Sequence, residues 1–170
     1  MADETDMQRL RSGERDLSYC DFVQADLSSM QLADRNFQHA KLNSAKATHA
    51  DLRRCDFSNA QLINFQGDGA NLAEATLDRT RLAKANFANA DLRGASLRTT
   101  QLSNVNFSGA DLRGANFKGA NIADATMFAD AVIDDSTVFD DAQTMRKTAQ
   151  LPAFRNYEFK DGRLHRKAVT

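Results

Sequence analysis

The chain repeats one arrangement of hydrophobic and polar positions every five residues. Residues 90–94 and 110–114, both ADLRG, contain a small residue, an Asp, a large apolar residue and then two polar or small residues. Leu, Phe, Ile or Met occupies the large position from residue 17 to residue 127, except at Ala47 and Gly67. A fixed internal period of this kind predicts a repeat architecture.

A five-residue period matches neither the 3.6 residues of a helical turn nor the two-residue alternation of a strand. The small and large positions are two residues apart, however, and side chains two apart in extended chain point to the same side. We therefore predict short extended segments with two inward-facing residues. Each segment is followed by a corner made from the remaining polar pair.

The two ADLRG quintets resemble those of the pentapeptide-repeat proteins, and the resemblance covers about residues 15–134. The family implies an all-β pentapeptide-repeat solenoid, a right-handed quadrilateral β-helix with about 20 residues in each coil. At a strand spacing of about 4.8 Å, about six coils would form a prism about 28 Å long.

A 20-residue period also sorts the large residues of this chain into four columns, which supports a four-sided coil. One column contains only leucine: Leu32, Leu52, Leu72, Leu92 and Leu112. The fourth column is the irregular one, with Leu27, Ala47, Gly67, Phe87, Phe107 and Met127.

Ala47 and Gly67 are neighbours in the fourth column and leave space inside it. Phe65 stands two residues before Gly67, at a position that most quintets fill with Ala, Cys or another small residue. Because protein interiors are close-packed, we expect Phe65 to turn inward and fill this space, with a local bend at residues 66–69. The alternative is a surface turn with the Phe65 ring outside.

The sequence divides into three parts, an N-terminal cap (1–14), a repeat body (15–134) and a C-terminal cap or interface segment (135–170). Early acids and late arginines between Asp3 and Arg11 predict one short helix that covers the first coil. The rhythm of the repeat is expected to decay after Met127, since Phe128 and Ile133 stand where polar residues belong.

The C-terminal segment predicts a helix followed by a hairpin. Residues 140–147 begin with acids and end with bases, and Pro152 follows as a stop. The Asp161-Gly162 pair predicts a turn between strands at 156–159 and 163–166. The apolar residues of the segment are expected to cover the last coil, to join two protomers, or to do both: Leu151, Phe154, Tyr157, Phe159 and Leu164.

Composition and charge point to no particular partner. The chain has 22 Lys and Arg against 23 Asp and Glu, a net charge of -1, so no basic surface for nucleic acid is indicated. The acidic N-terminus lacks the apolar run of a secretion signal, and no segment reaches the roughly 18 apolar residues of a membrane span. We expect a cytoplasmic protein without membrane contact.

No motif in the sequence supports catalysis, a cofactor or a metal. HExxH, GxSxG, a Walker loop and a GxGxxG between strand and helix are absent. His39 and His49 are expected on opposite corners, where they could not share a metal ion. Cys20 and Cys55 have no CxxC partner and are expected to be buried thiols at different corners, without a disulfide. We expect a protein that is not an enzyme.

The outer surface is where function is expected, because the repeat fills the interior. Three Asp-x-Arg triplets, at residues 51–53, 91–93 and 111–113, each place an acid and a base on the same strand face, where they balance each other. Arg98 and Lys118 extend the basic component around the next corner. The candidate partner surface is therefore Asp91, Arg93, Arg98, Asp111, Arg113 and Lys118.

These features favour a non-catalytic, rigid scaffold that binds a protein partner through one flat face. The family resemblance implies an alternative, in which an acidic, dimeric rod mimics DNA and protects or inhibits a type II topoisomerase (DNA gyrase), conferring resistance to a quinolone or toxin. Residues 15–134 hold 13 basic and 14 acidic side chains, so the phosphate-like field needed for mimicry is missing. Direct nucleic-acid binding has the least support, because no aromatic residues alternate with the basic ones.

Overall fold

The computed structural model describes residues 1–123, 125–139, 157–160 and 163–167. Its regular elements are short: helix α1 (Glu4–Arg11) and strands β1 (Gln101–Leu102), β2 (Asn121–Ile122), β3 (Tyr157–Lys160) and β4 (Arg163–Arg166). β1 pairs with β2 in parallel, and β3 pairs with β4 in antiparallel orientation.

Single parallel bridges, rather than long strands, connect most of the chain. Asp91 pairs with Asn71 on one side and with Asp111 on the other, and β1 and β2 pair in the same register. The spacing between partners stays constant in every bridge up to the one between Ser96 and Asn116. The chain therefore has a β-helix-type fold, and the register predicted from the columns of large residues is confirmed.

Each quintet turns the chain at its last two residues. The second residue after the large one has a positive φ, for example 58° at Arg79 and 57° at Asn89. The turn is closed by the amide of the next small residue, as Ala95 N donates to Leu92 O at 3.0 Å. The predicted corner glycines are confirmed with φ between 65° and 73°: Gly94, Gly109, Gly114 and Gly119.

The inward residues form one continuous core. Phenylalanine rings stack from coil to coil, with centroids 5.0 Å apart for Phe37 and Phe57. Burial of a Phe or Leu side chain contributes about 1.5–3 kcal/mol before chain entropy is subtracted, so the stacked interior is the main stabilising feature. Within the described residues, every buried side-chain nitrogen or oxygen has a hydrogen-bond partner.

Phe65 points inward and fills the space in the fourth column, as predicted. Its side chain is fully buried, and its ring centroid lies 5.8 Å from that of Phe87. A Cβ atom placed on Gly67 would lie 3.0 Å from atoms of both rings, so the two aromatic side chains occupy the volume that a larger residue 67 would need.

The local bend expected at residues 66–69 is wrong. Gln66 pairs with Lys46 and with Asn86 in the same register as its neighbours, and Gly69 has the φ of 63° found at other corners. The backbone does not need to bend, because the exchange of a small for a large side chain takes place entirely inside the coil.

The prediction that Met127 continues the fourth column is also wrong. Asn106 pairs with Met127 rather than with Thr126, so Met127 takes the outward position that holds polar residues in the preceding coils. Its side chain is 49% exposed, whereas Phe128 is 1% exposed and stacks on Phe107 with centroids 5.3 Å apart. One extra residue between Ile122 and Met127 therefore moves the inward positions by one.

The repeat does not decay after this shift. Val132 is exposed and Ile133 is buried, which continues the displaced pattern. Asn116 then pairs with Val138 rather than with Thr137, because a second residue has been gained. The following Phe139 is fully buried and stacks on Phe117 with centroids 4.9 Å apart.

The predicted N-terminal helix is confirmed as α1. Asp3 accepts a hydrogen bond from Asp6 N at 3.1 Å as the N-cap, and its own amide donates to Asp21 O at 2.9 Å. Met7 and Leu10 on the inner side of α1 are buried in the core. These contacts place α1 against the start of the repeat.

The predicted hairpin is confirmed as β3 and β4, in which Phe159 lies opposite Leu164. The Tyr157 hydroxyl donates a hydrogen bond to Ile133 O at 2.9 Å, which connects β3 to the end of the repeat. The helix expected at residues 140–147, together with Leu151 and Phe154, lies outside the described residues.

Candidate functional site

The predicted Asp-x-Arg pairs are present and extend across two coils. We call Asp91, Arg93, Asp111 and Arg113 the charge ladder. Arg93 and Arg113 each place a guanidinium nitrogen 2.6 Å from an oxygen of the aspartate two residues earlier. Arg93 Nε also lies 3.9 Å from Asp111 Oδ2, so the two pairs are linked from one coil to the next.

The ladder aspartates have a structural task as well as a charge. Asp91 Oδ1 accepts a hydrogen bond from the backbone amide of Arg93 at 3.1 Å, which holds the corner of the quintet. The hydrogen bonds from the Arg93 side chain hold the pKa of Asp91 below its ordinary value, although partial burial acts in the opposite direction. In turn, the Asp91 carboxylate raises the pKa of Arg93. The charges of the ladder are thus largely neutralised within the protein.

The same unit occurs two coils earlier. Arg53 binds Asp51 with a nitrogen to oxygen distance of 2.6 Å, and the Asp51 carboxylate also accepts from the Arg53 amide at 3.2 Å. Between the two units the column holds Asn71, which is uncharged. Arg53 therefore provides an internal control for any role of the ladder arginines.

Arg98 and Lys118, the other two predicted surface residues, belong to a different side of the coil. Their side chains are exposed, and neither forms an ion pair within the part of the chain that the structure describes. Nothing in the described structure joins them to Arg93 or Arg113. The six residues predicted as one surface are therefore a neutralised ladder and two separate cations.

A groove that sequence reasoning missed lies beside Arg98. It has a volume of about 290 Å³, and we call it the corner groove; its lining residues are Ser58, Asn59, Asp78, Arg79, Arg98 and Thr99. The two arginines lie on adjacent coils, because Arg79 N donates to Arg98 O at 2.9 Å. The sequence signal for it was an Asp-Arg pair at 78 and 79 with a second Arg at 98, one repeat period after the Asp.

Asp78 does not pair with either of these arginine side chains. Its Oδ1 accepts hydrogen bonds from Ser96 Oγ at 2.5 Å and from the Arg98 backbone amide at 3.0 Å. The carboxylate is thus turned toward the backbone of the next coil, which leaves both guanidinium groups in the groove without a carboxylate partner.

An exposed aromatic pair lies on the same corner. Tyr19, which is 73% exposed, stacks on His39 with ring centroids 4.7 Å apart and an interplanar angle of 6°. Both residues have φ of 60° and occupy the corner position of consecutive coils, followed in the same column by Asn59 and Arg79. Sequence reasoning missed this stacking, although Tyr19 and His39 are one 20-residue coil apart in the sequence.

The described residues give no sign of catalytic chemistry. They contain no group of three or more His, Cys, Asp or Glu side chains that could hold a metal ion. Cys20 and Cys55 are free and buried, and burial raises the pKa of each thiol to about 12, which makes both poor nucleophiles. No helix of the described chain is long and apolar enough to span a membrane.

The candidate C-terminal contacts are only partly within the described residues. Tyr157 is half-buried and bonds to the end of the repeat through its hydroxyl. Phe159 and Leu164 are backbone partners in the β3–β4 register. Whether these residues join two protomers stays a prediction.

Residues 50–128 match the family model described as a pentapeptide repeat region. The matched residues lie within the part of the chain that is joined by parallel bridges. Over this range the chain is similar to the pentapeptide-repeat family. No match was found among curated proteins.

Several solved structures of pentapeptide-repeat proteins are similar to this chain. Rfr23 from the cyanobacterium Cyanothece 51142 is 25% identical, with 81% of this chain and 99% of that chain covered and a TM-score of 0.40. HetL from Nostoc sp. strain PCC 7120, which is involved in the regulation of heterocyst differentiation, is 20% identical, with coverage of 82% and 97% and a TM-score of 0.36. QnrB1, a plasmid-mediated fluoroquinolone resistance protein, is 18% identical, with coverage of 69% and 79% and a TM-score of 0.36.

Proposed function

We propose that this pentapeptide-repeat protein is a non-catalytic scaffold that binds a protein partner through the outer surface of its β-helix. The observation that carries the proposal is the closed interior. The large and small inward positions of the quintets are buried, and their polar atoms are satisfied within the described residues. Recognition therefore falls to the outward side chains, which stand in regular columns on flat faces.

The contact surface in this proposal is the charge ladder together with Arg98 and Lys118. The ladder presents two rigid Asp-Arg units whose geometry is fixed by backbone hydrogen bonds. Rigid side chains lose little conformational entropy on binding, which favours recognition even where the local charge is balanced. Arg98 and Lys118 add unpaired positive charge beside it.

Affinity capture with charge-reversed variants tests this surface. The purified protein is immobilised, and proteins retained from a lysate of the source organism are identified with the wild type and with Arg93→Glu/Arg113→Glu. We expect the double variant to lose a specific partner. Arg53→Glu is the matched control, because Arg53 forms the same unit with Asp51 at 2.6 Å. Retention of the same proteins by both variants would remove the ladder from the contact surface.

Protection of a type II topoisomerase, the alternative implied by the family, has weaker support. The repeat body is charge-balanced, and the aspartates of the ladder are bound by arginines, so no phosphate-like column is formed. A DNA gyrase supercoiling assay with and without a quinolone separates the two functions. The scaffold proposal expects neither inhibition nor protection, and either effect would favour the topoisomerase function.

We also propose about six right-handed coils, capped by α1 and by the C-terminal segment, in a cytoplasmic protein. The burial of Met7 and Leu10 supports the first cap, and the bond from Tyr157 to Ile133 supports the second. A homodimer would form through the C-terminal tail. Light scattering on a chain that ends after residue 139, which keeps Phe139 in the core, would lose the dimer if the tail forms it.

A further inference from the structure

Two exposed arginines at one corner differ from the arginines of the Asp-x-Arg units. Arg79 and Arg98 line the corner groove, and neither has an ion-pair partner among the described residues. Arg53, Arg93 and Arg113 each bind a carboxylate at 2.6 Å. The groove therefore offers positive charge that the protein does not neutralise.

The chemistry of the groove suits a carboxylate. A guanidinium group forms paired hydrogen bonds with a carboxylate, and two such groups on adjacent coils face one groove of about 290 Å³. The Asn59 side chain at the edge supplies an amide donor. Asp78 does not compete for the arginines, because Ser96 and the Arg98 amide already bind its Oδ1 at 2.5 and 3.0 Å.

The aromatic pair lies in line with the groove. Tyr19, His39, Asn59 and Arg79 occupy the same corner position of four successive coils. At a coil spacing of about 4.8 Å, Tyr19 lies about 14 Å from Arg79 along the corner, a distance that about four residues of extended chain span. Exposed Tyr and Arg side chains are also the residues that most often dominate binding energy at protein interfaces.

We propose that this corner binds an extended acidic segment of a protein partner. An Asp or Glu of the segment lies between Arg79 and Arg98, and an apolar or aromatic residue about four positions away packs on the Tyr19–His39 stack. The inference rests on the proposed scaffold function and assigns a different contact surface and a chemical class of partner to it.

A nucleic acid is a poorer fit for the same corner. Binding a phosphodiester backbone requires a series of cations along its path. Here the column of Arg79 continues with Thr99 and Gly119, which are uncharged. The column of Arg98 continues only with Lys118, and its preceding position holds Asp78, whose carboxylate lines the same groove. Two adjacent guanidinium groups match one or two carboxylates better than a continuous polyanion.

Peptide selection tests the proposal even though the partner is unidentified. A phage-displayed library of random 12-residue peptides is selected on the immobilised full-length protein, and the affinities of enriched peptides are measured by fluorescence anisotropy. We expect Asp- or Glu-containing peptides whose Kd rises at least about tenfold with Arg79→Glu/Arg98→Glu and about threefold or more with Tyr19→Ala. Arg53→Glu/Arg54→Glu is the matched control, because it reverses two exposed arginines that lie in neither proposed surface, and it should leave the Kd within about twofold.

Several results would overturn the proposal. These are no enriched peptide, enriched peptides without acidic residues, or peptides that bind the Arg79→Glu/Arg98→Glu variant as tightly as the wild type. A labelled DNA duplex that binds the wild type and not this variant would also overturn it. Unchanged far-UV circular dichroism and melting temperature verify that each variant is folded.

The selection also separates this proposal from the scaffold function. Peptides that are lost with Arg93→Glu/Arg113→Glu, and retained by Arg79→Glu/Arg98→Glu, would refute the corner while supporting a partner surface on the ladder. A partner captured from lysate whose binding is unaffected by either pair of substitutions would refute both surfaces. The scaffold function would then require a contact surface on another face of the β-helix.

Discussion

Two regions of the core, the quintet of Phe65 and the residues after Ile122, accommodate an irregular sequence in different ways. Around Phe65 the number of residues is unchanged, and a large side chain at the small position is matched by Gly67 at the large one. After Ile122 the side chains stay typical, but the chain gains one residue before Met127 and a second before Val138. In the first region the 20-residue register is unchanged, and the large side chain moves from the large position to the small one. In the second region the register shifts, but the stack of phenylalanine rings continues.

The comparison shows that a filled interior is the feature that both regions maintain. Phe65 packs beside Phe87, and Phe128 stacks on Phe107, although one of them stands at an unexpected position and the other in a displaced register. The packing of the inward residues determines which residues point outward, and Met127 therefore occupies a position that holds polar residues in the preceding coils. Outer residues are therefore free to differ, and recognition can be built from them.

The largest expected effect comes from emptying the irregular quintet. Phe65→Ala should lower the free energy of unfolding by about 3–5 kcal/mol, because the fully buried ring leaves a cavity. Urea unfolding measures the change. The control is Ile63→Ala, at an outward and half-buried residue of the preceding quintet, which should cost less than about 1 kcal/mol.

A second substitution sharpens the interpretation. In the Phe65→Ala background the space next to Gly67 is open, so Phe65→Ala/Gly67→Leu restores the usual order of a small and then a large residue. We expect the double variant to regain part of the lost stability. A further loss relative to Phe65→Ala would contradict the exchange of volume between the two positions.

A smaller effect is expected in the shifted C-terminal units. Each unit that gains a residue has a buried threonine at its small position, and the hydroxyls of Thr126 and Thr137 donate to the Leu102 and Leu112 carbonyls, respectively. Thr137→Val should cost about 1 kcal/mol, because it removes the hydroxyl while keeping its volume. Thr48→Val, at a half-buried outward position in the regular region, is the control and should have little effect. Equal effects of the two substitutions would show that the hydroxyl of Thr137 has no special role.

The smallest effect concerns acid stability. In the regular region, hydrogen bonds from Arg113 hold the pKa of Asp111 below its ordinary value of 3.8. In the shifted region, burial raises the pKa of Asp134, but hydrogen bonds from Ser136, Thr137 and the Gly114 amide outweigh it and lower the pKa below 3.8. Both groups therefore add stability that is fully present above pH 3.8 and is lost as the pH falls through their folded-state pKa values.

Acid titration of stability distinguishes the two aspartates. Asp111→Asn and Asp134→Asn should each reduce the loss of stability between about pH 5 and about pH 2, since each removes one carboxylate that takes up a proton on unfolding. Added salt should weaken the Asp111 contribution more, because its partner is an exposed arginine. An acid profile that is identical in the wild type and Asp134→Asn would contradict the lowered pKa of Asp134.

The sequence was sufficient for the regular part of the fold because inward residues are chosen by size. Gly67 is smaller than the other residues of its column, and Phe65 is larger than the others of its column. Because the interior must stay filled, the sequence predicted that the Phe65 ring occupies the space beside Gly67. The shift at Met127 was missed because Met127 and Phe128 are both large and apolar, and counting in fives selects the wrong one. The small residue two before the large one does not separate them either, because Ala125 precedes Met127 by two and Thr126 precedes Phe128 by two.

The candidate site was less predictable because it depends on which charges find partners. The pair of Asp91 and Arg93 follows from their spacing on one extended segment. The unpaired state of Arg79 does not, since it depends on the Asp78 carboxylate turning toward Ser96 and the Arg98 amide. The orientation of the Asp78 carboxylate depends on its side-chain rotamer and on the neighbouring coil, and the sequence alone specifies neither.

The most direct test of a filled interior that persists through the shift is an NMR measurement of contacts between side chains. Nuclear Overhauser effects should connect the ring of Phe107 with that of Phe128, and the ring of Phe117 with that of Phe139, because their centroids are 5.3 and 4.9 Å apart. The Met127 methyl group should show no contact with Phe107. Contacts between Met127 and Phe107, with Phe128 exposed to solvent, would contradict the shifted register and with it the continuity of the core.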